Sequence, residues 1–328
     1  MPIREIQKGI YVIDIPLPNN PLRSLNCYVL KGDGDMRNLI IDSGFHLKVC
    51  LDALVSGIKA LELSAETTDV FFTHSHSDHA GNGYELTQMG YRVLMGERDY
   101  KFMLGGIQEN WWGIVTRQMG IPDDIAEEMI LRNPANALKP MVFQADFVGD
   151  GTVLHYGGRE LECILTPGHT PGHICLYDRK NKLMFTGDHV LFDITPNITC
   201  YLHEPYCLNL YLENLEKIAG YDVVTSLPSH RGAGGKTMRE RTVELIEHHK
   251  RRLDETLSFV STRPEGVRAY DIAGLMTWRI RAESWDEFPL AQKWFAVGET
   301  LAHLKYLEKQ GKLSCEDAGE RGLIFYSK

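Results

Sequence analysis

Short apolar runs separated by polar turns open the chain. Ile10–Ile15 and Leu25–Leu30 flank a Pro- and Asn-rich stretch at 16–21, and Asn38–Asp42 is a third run ending in Asp-Ser-Gly. Runs of this length bounded by turn formers predict strands. The period then changes. Leu51, Leu54, Val55, Ile58 and Leu61 recur every three or four residues, which predicts a helix packed by one face. Val70–Thr73 reads as a buried strand that stops at a polar, His-rich loop. From Arg98 to about Asp146 the pattern predicts two helices rich in Met and Trp. Strands resume at Arg159–Thr166, His173–Arg179, Lys182–Thr186 and Asp222–Leu227, and a long helix follows from about Thr237 to Val260. In the tail, Val267–Thr277 and Leu290–Gln310 predict helices, the second closed by Gly311 as a C-cap. Lys312–Cys315 and Leu323–Tyr326 then flank a turn. Helix, helix, helix, hairpin predicts a winged-helix-like domain over 256–328. It follows a larger α/β domain over 1–255 that carries a helical insert at about 98–146.

Composition narrows the class. With 24% charged and 43% hydrophobic residues over 328 positions, disorder, collagen and coiled coil are excluded. The net charge of −9 speaks against a general nucleic-acid binder, whose phosphate affinity comes from Lys and Arg. Basic and acidic side chains are equal in number from Arg251 to Lys328, so the tail is not a basic surface either. Seven cysteines at irregular spacing, without a C-x-x-C, predict free thiols and a reducing compartment. The first residues do not read as a secretory signal, and no apolar run is long enough to predict a membrane span. The expected location is the cytoplasm.

The chemistry concentrates in His74-Ser75-His76-Ser77-Asp78-His79, directly after a strand. Three imidazoles and a carboxylate within six residues predict a metal site. His74 and His76 can turn to one point, while Asp78 and His79 serve a second. Further candidates follow in order at strand ends: His169 in TPGHTPGH, Asp188 in FTGD and His230 in LPSHRG. Five His and two Asp suffice for two four- or five-coordinate ions with water completing the shell. His173 reads as structural, His189 is expected to point away from the site, and the remaining histidines and all cysteines lie outside the pattern.

This ordered set resembles the metallo-β-lactamase superfamily of hydrolases over about residues 8–250, and TPGHTPGH with TGDHVL is similar to its glyoxalase II-like branch. The resemblance implies a four-layer αββα sandwich. It also implies His74, His76 and His169 on one metal, Asp78, His79 and His230 on the other, and Asp188 bridging. Asp42 would support the metal loop from behind. Asp78 and Asp188 are the catalytic carboxylates expected to hold a hydroxide between the ions. Two zinc ions are the expected cofactors, with iron or manganese accepted by the same residue types. One departure stands out: Arg231 follows the last ligand where members commonly have glycine, either facing solvent or meeting an anionic substrate group.

The resulting expectation is a dinuclear hydrolase of a small ester, thioester or lactone. Met103, Trp111, Trp112, Met119 and Met129 of the insert are expected to wall the site, and the loop holding Tyr201, His203 and Tyr206 is a further wall candidate. Two alternatives are a single-strand RNA endonuclease, suggested by lactamase-fold nucleases with such tails, and a non-catalytic nucleic-acid-binding module. Charge disfavours both. A homodimer is left open, and the apolar face of Leu290–Gln310 predicts docking of the tail rather than DNA or RNA recognition.

Overall fold

The computed structural model describes residues 3–108, 111–132, 138–201, 203–278 and 282–328. Seven strands, β1 (Ile3–Gln7), β2 (Ile10–Pro16), β3 (Ser24–Leu30), β4 (Asn38–Ile41), β5 (Thr68–Phe72), β6 (Arg92–Gly96) and β7 (Asp146–Val148), form one sheet in sequential order. It is antiparallel up to β4 and parallel from there on. A second sheet runs β12 (Thr225–Pro228), β11 (Leu183–Gly187), β10 (Ile174–Asp178), β9 (Arg159–Leu165), β8 (Val153–Tyr156).

Alternation along the strands decides the layers. Tyr28, Leu39, Ile41, Phe71 and Leu94 point inward against Leu161, Cys163, Leu176, Leu183 and Phe185 of the second sheet. Their neighbours Cys27, Val29, Ile40, Val70, Phe72 and Val93 point the other way, onto Ala53, Leu54 and Ile58 of helix α1 (Lys48–Ala60). The second sheet's outer residues Ile164, Cys175, Tyr177 and Met184 are covered by Leu208, Tyr211 and Leu215 of the helix Cys207–Ala219 and by Leu245 of the helix Met238–Ser261. The central strands of both sheets are therefore buried on both faces, and the result is the expected αββα sandwich.

The helix Met238–Ser261 begins at a capping box: Thr237 Oγ1 accepts from Glu240 N at 3.2 Å and Glu240 Oε2 accepts from Thr237 N at 2.8 Å. After it come the helices Ala269–Ala273 and Leu290–Lys309 and the hairpin β13 (Leu313–Asp317), β14 (Leu323–Ser327). Gly311 ends the longer helix with a φ of +74°. The tail has no core of its own: Val297, Leu301, Leu304, Leu307 and Phe325 share one cluster with Met184, Tyr211 and Leu245. The docking expected from its apolar helix is what the structure contains.

The insert corrects one expectation. It holds the helices Glu97–Gln108, Trp111–Gln118 and Asp123–Arg132, but Met103 is buried beside the first sheet and Met119 and Met129 are buried in the cluster shared with the tail. These methionines fasten the insert to the body rather than wall a site: Met103 packs under the first sheet, and Met119 and Met129 pack where the tail helices cover the second. The side chains of Trp111 and Trp112 lie outside the described residues.

Candidate metal centre

Strand direction assembles the site. β9, β11 and β12 run the same way, since β9 and β11 are each antiparallel to β10 and β12 is parallel to β11. Their C-terminal ends deliver His169, Asp188 and His230 to one edge. β5 ends at Phe72 and delivers the His74–His79 loop to the same edge. His76 and the short helix Ser77–Ala80 then turn Asp78 and His79 inward.

All seven predicted residues meet there. Ligand atoms of His74, His76 and His169 lie within 4.8 Å of one another, as do those of Asp78, His79 and His230, and those of His74, His79 and Asp188. Asp188 touches both groups: Oδ2 is 3.7 Å from His169 Nε2 and 3.6 Å from His79 Nε2, and Oδ1 is 3.4 Å from His230 Nε2. Asp78 Oδ2 is 3.3 Å from His230 Nε2.

The outward ring nitrogens are held from behind. His79 Nδ1 donates to Asp42 Oδ2 at 2.8 Å, His169 Nδ1 to the carbonyl of Asn197 at 2.9 Å and His230 Nδ1 to the carbonyl of Ser24 at 2.9 Å. Thr73 Oγ1 donates to Asp42 at 2.9 Å, which leaves it to accept from His74 Nδ1 at 3.0 Å. These bonds fix the tautomers so that Nε2 faces the centre. Asp42 also accepts from Thr73 N at 2.9 Å and Ser229 Oγ at 3.3 Å, and it holds a left-handed φ of +63°. That strained backbone is tolerated where one carboxylate ties three ligand segments together.

The residues fit bound metal. Nε2 of His79, His169 and His230 and Oδ1 of Asp188 are buried without a hydrogen-bond partner, which is costly unless something else satisfies them. Burial pushes His74 well below its ordinary value, His76 to about 3 and His169 down, so these three are neutral donors at neutral pH. At His79 and His230 burial acts the same way but neighbouring carboxylates outweigh it. Asp42, Asp188 and Asp78 hold His79 well up, and Asp188 with Asp78 takes His230 to about 10. Asp78 in turn falls to about 2, since His79 and His230 outweigh its burial. Metal binding at His79 and His230 would therefore be coupled to release of protons from these imidazoles.

The other expectations sort by geometry. His173 does not join the ligands: Nδ1 donates to Thr166 Oγ1 at 2.8 Å and Nε2 accepts from Asp188 N at 3.1 Å, so it fixes the Asp188 backbone. Gly187 beside it has φ +53°, and a Cβ there would meet His173 Nε2 at 2.3 Å. His189 packs on Tyr211 with ring centroids 5.2 Å apart. Tyr201 donates its hydroxyl to the carbonyl of His169, while His203 is exposed. Arg231 is exposed with a left-handed φ of +59°, and Nη2 lies 3.5 Å from the carbonyl of Pro21. All seven cysteines are free thiols.

Asp99 escaped the sequence reading. It is buried at the start of the insert and accepts from Ser75 N at 2.8 Å, Thr170 Oγ1 at 2.8 Å and Gly172 N at 2.5 Å. It thus braces the His74–His76 loop against the His169 loop. Burial lifts its carboxyl to about 6 against the pull of these donors, so at neutral pH it is ionised and can accept all three. An Asp99→Asn variant would set an amide N–H against a donor. We expect a loss of about 1–3 kcal/mol per orphaned donor, read by denaturant unfolding, together with weaker metal retention, read by elemental analysis.

Two stacked sheets with helices outside, and a His/Asp centre built from strand ends at one edge, define a metallohydrolase fold. The chain belongs to the metallo-β-lactamase superfamily, whose family model matches residues 21–230, and a metallo-beta-lactamase-like C-terminal domain model matches residues 253–328. A lactamase-like protein of Neosartorya fischeri is 26% identical over 249 residues, 75% of this chain, and the chain spans about 60% of that relative's length. An atrochrysone carboxyl ACP thioesterase of Emericella nidulans is 25% identical over 312 residues, 86% of this chain and 83% of the relative. A hydroxyacylglutathione hydrolase of Haemophilus influenzae is 29% identical over 168 residues, covering 51% of this chain and 66% of the relative. A beta-lactamase domain protein from Burkholderia ambifaria superposes with a TM-score of 0.82 at 25% identity, covering 99% of this chain and 94% of the other. Among the described residues no helix is long and apolar enough to cross a membrane.

Proposed function

We propose that the protein is a dinuclear, zinc-dependent hydrolase of a small acyl substrate, and that among esters, lactones and thioesters its substrate is a thioester. The carrying observation is the convergence of the seven His and Asp side chains, with four buried ligand atoms aimed at one another and left without partners. In this reading His74, His76 and His169 hold one ion, Asp78, His79 and His230 the other, and Asp188 both. Two such ions would lower the pKa of a water from 15.7 to about 7 and polarise a carbonyl.

The chain's own groups do the rest. Asp188 sets the separation of the two ligand sets. Asp78, beside His230, is placed to orient a nucleophilic water and accept its proton. Asp42, Ser24 and Asn197 hold the imidazoles so that no reorganisation is needed as charge develops. The neutral His74, His76 and His169 leave the centre cationic when loaded, which suits a developing oxyanion. The thioester preference draws on the thioesterase and hydroxyacylglutathione hydrolase relatives. We further propose that residues 1–255 are the catalytic unit and that 256–328 serve it as a docked, winged-helix-like unit.

The test is a turnover screen of the zinc-loaded protein against acyl thioesters, lactones, simple esters, phosphodiesters and single-stranded RNA. The expected result is thioester hydrolysis that chelation abolishes and zinc restores. Phosphodiester or RNA cleavage without acyl hydrolysis would overturn the substrate class.

A further inference from the structure

We infer that Asn197, Glu299 and Arg252 form a positioning chain that runs from the C-terminal region to His169, making the tail a working part of the metal centre. This inference rests on His169 being a metal ligand. It begins with the segment 197–201, which is outside the helices and sheets yet sets His169 twice. The carbonyl of Asn197 accepts from His169 Nδ1 at 2.9 Å, and Tyr201 donates to the carbonyl of His169. A coil segment can fix a ligand only if it is itself fixed.

The tail fixes it. Asn197 Nδ2 donates to the carbonyl of Phe295 at 3.3 Å, one turn before Glu299 on the same helix, and the nearby Asn197 amide favours the Glu299 carboxylate against the cost of its burial. Glu299 pairs with Arg252 Nε at 2.8 Å. Arg252 then donates from Nη1 to the carbonyl of Thr277 at 2.9 Å and lies 4.0 Å over the Trp278 ring. Glu299 is only 8% exposed and Arg252 6%. Such a buried ion pair adds little stability over a well-packed apolar pair; here it joins the Leu290–Lys309 helix to the Met238–Ser261 helix. One link further on, a Cβ on Gly298 would stand 2.0 Å from Thr199 Oγ1. A glycine inside a helix costs about 1 kcal/mol relative to alanine. Here it lets the Leu290–Lys309 helix touch the segment that carries Asn197.

The experiment compares full-length wild type with N197A, E299Q, G298A and a tail-core control, I272V, since Ile272 is buried in the tail but off this chain. Zinc affinities are measured by chelator competition, and the cobalt-substituted proteins are compared by their visible d–d spectra. Wild type should bind two ions. N197A, E299Q and G298A should each weaken one ion about 10–100-fold and shift the cobalt bands, although G298A improves helix propensity. I272V should lower the unfolding temperature while leaving both ions and the spectrum in place. Affinities within twofold of wild type with unchanged spectra in N197A and E299Q would overturn the chain alone. Equal weakening in I272V would reduce it to general tail stability and also overturn it. A wild type that binds no metal would overturn both this inference and the metal-centre reading.

Discussion

Asp188→Ala should abolish turnover, by about 10³-fold or more, and leave the protein folded but unable to hold two ions. Its carboxylate lies 3.4–3.7 Å from the Nε2 atoms of His230, His79 and His169, so it reaches members of both ligand sets. Losing an outer partner of a ligand typically costs 10–100-fold, and losing the shared ligand should cost more. The backbone at this position is held independently by His173 Nε2 on Asp188 N, so truncating the side chain need not move the strand end. Elemental analysis after loading, alongside kcat and a thermal melt, separates the outcomes. Two ions bound at wild-type affinity in the variant would remove Asp188 from between the ligand sets.

Why the seven residues could be read from the sequence, and their supports could not, follows from how each is encoded. His74, His76, Asp78 and His79 share one loop, and His169, Asp188 and His230 each follow an apolar strand run; type and spacing are local. The supports are not. His169 and His230 are oriented by the backbone carbonyls of Asn197 and Ser24, which carry no side-chain signature. Asp99 sits in a helix whose sequence gives no hint that Ser75, Thr170 and Gly172 converge on it. The edge strand β1 is half-exposed to exposed along its length and has no apolar alternation to find. The helix Cys207–Ala219 went unread although its signal was present: Leu208, Tyr211, Leu215 and Ile218 recur at helical spacing and are all buried. Val267–Thr277 predicted a longer helix than Ala269–Ala273, since Gly274 follows immediately and the chain turns there to place Trp278 over Arg252.

The largest structural effect should come from ending the chain at Arg252, which we expect to yield insoluble or aggregated protein without a metal centre. The cut falls inside the helix Met238–Ser261 and removes Val297, Leu301, Leu304, Leu307 and Phe325 from the cluster they share with Met184, Tyr211, Leu215 and Leu245. Burial of each such large side chain contributes about 1.5–3 kcal/mol. The loss of several exceeds or consumes the ~5–15 kcal/mol that separates a typical folded domain from its unfolded chain. The uncovered face is a contiguous apolar surface of the kind that drives self-association. The same cut deletes Glu299 and the Phe295 carbonyl, so the segment that orients His169 loses its anchor even in molecules that stay compact. Size-exclusion chromatography, near-UV circular dichroism and metal content of any soluble fraction test both halves of this expectation. A soluble truncated protein that unfolds cooperatively and retains two ions would mean that the sandwich closes without its tail.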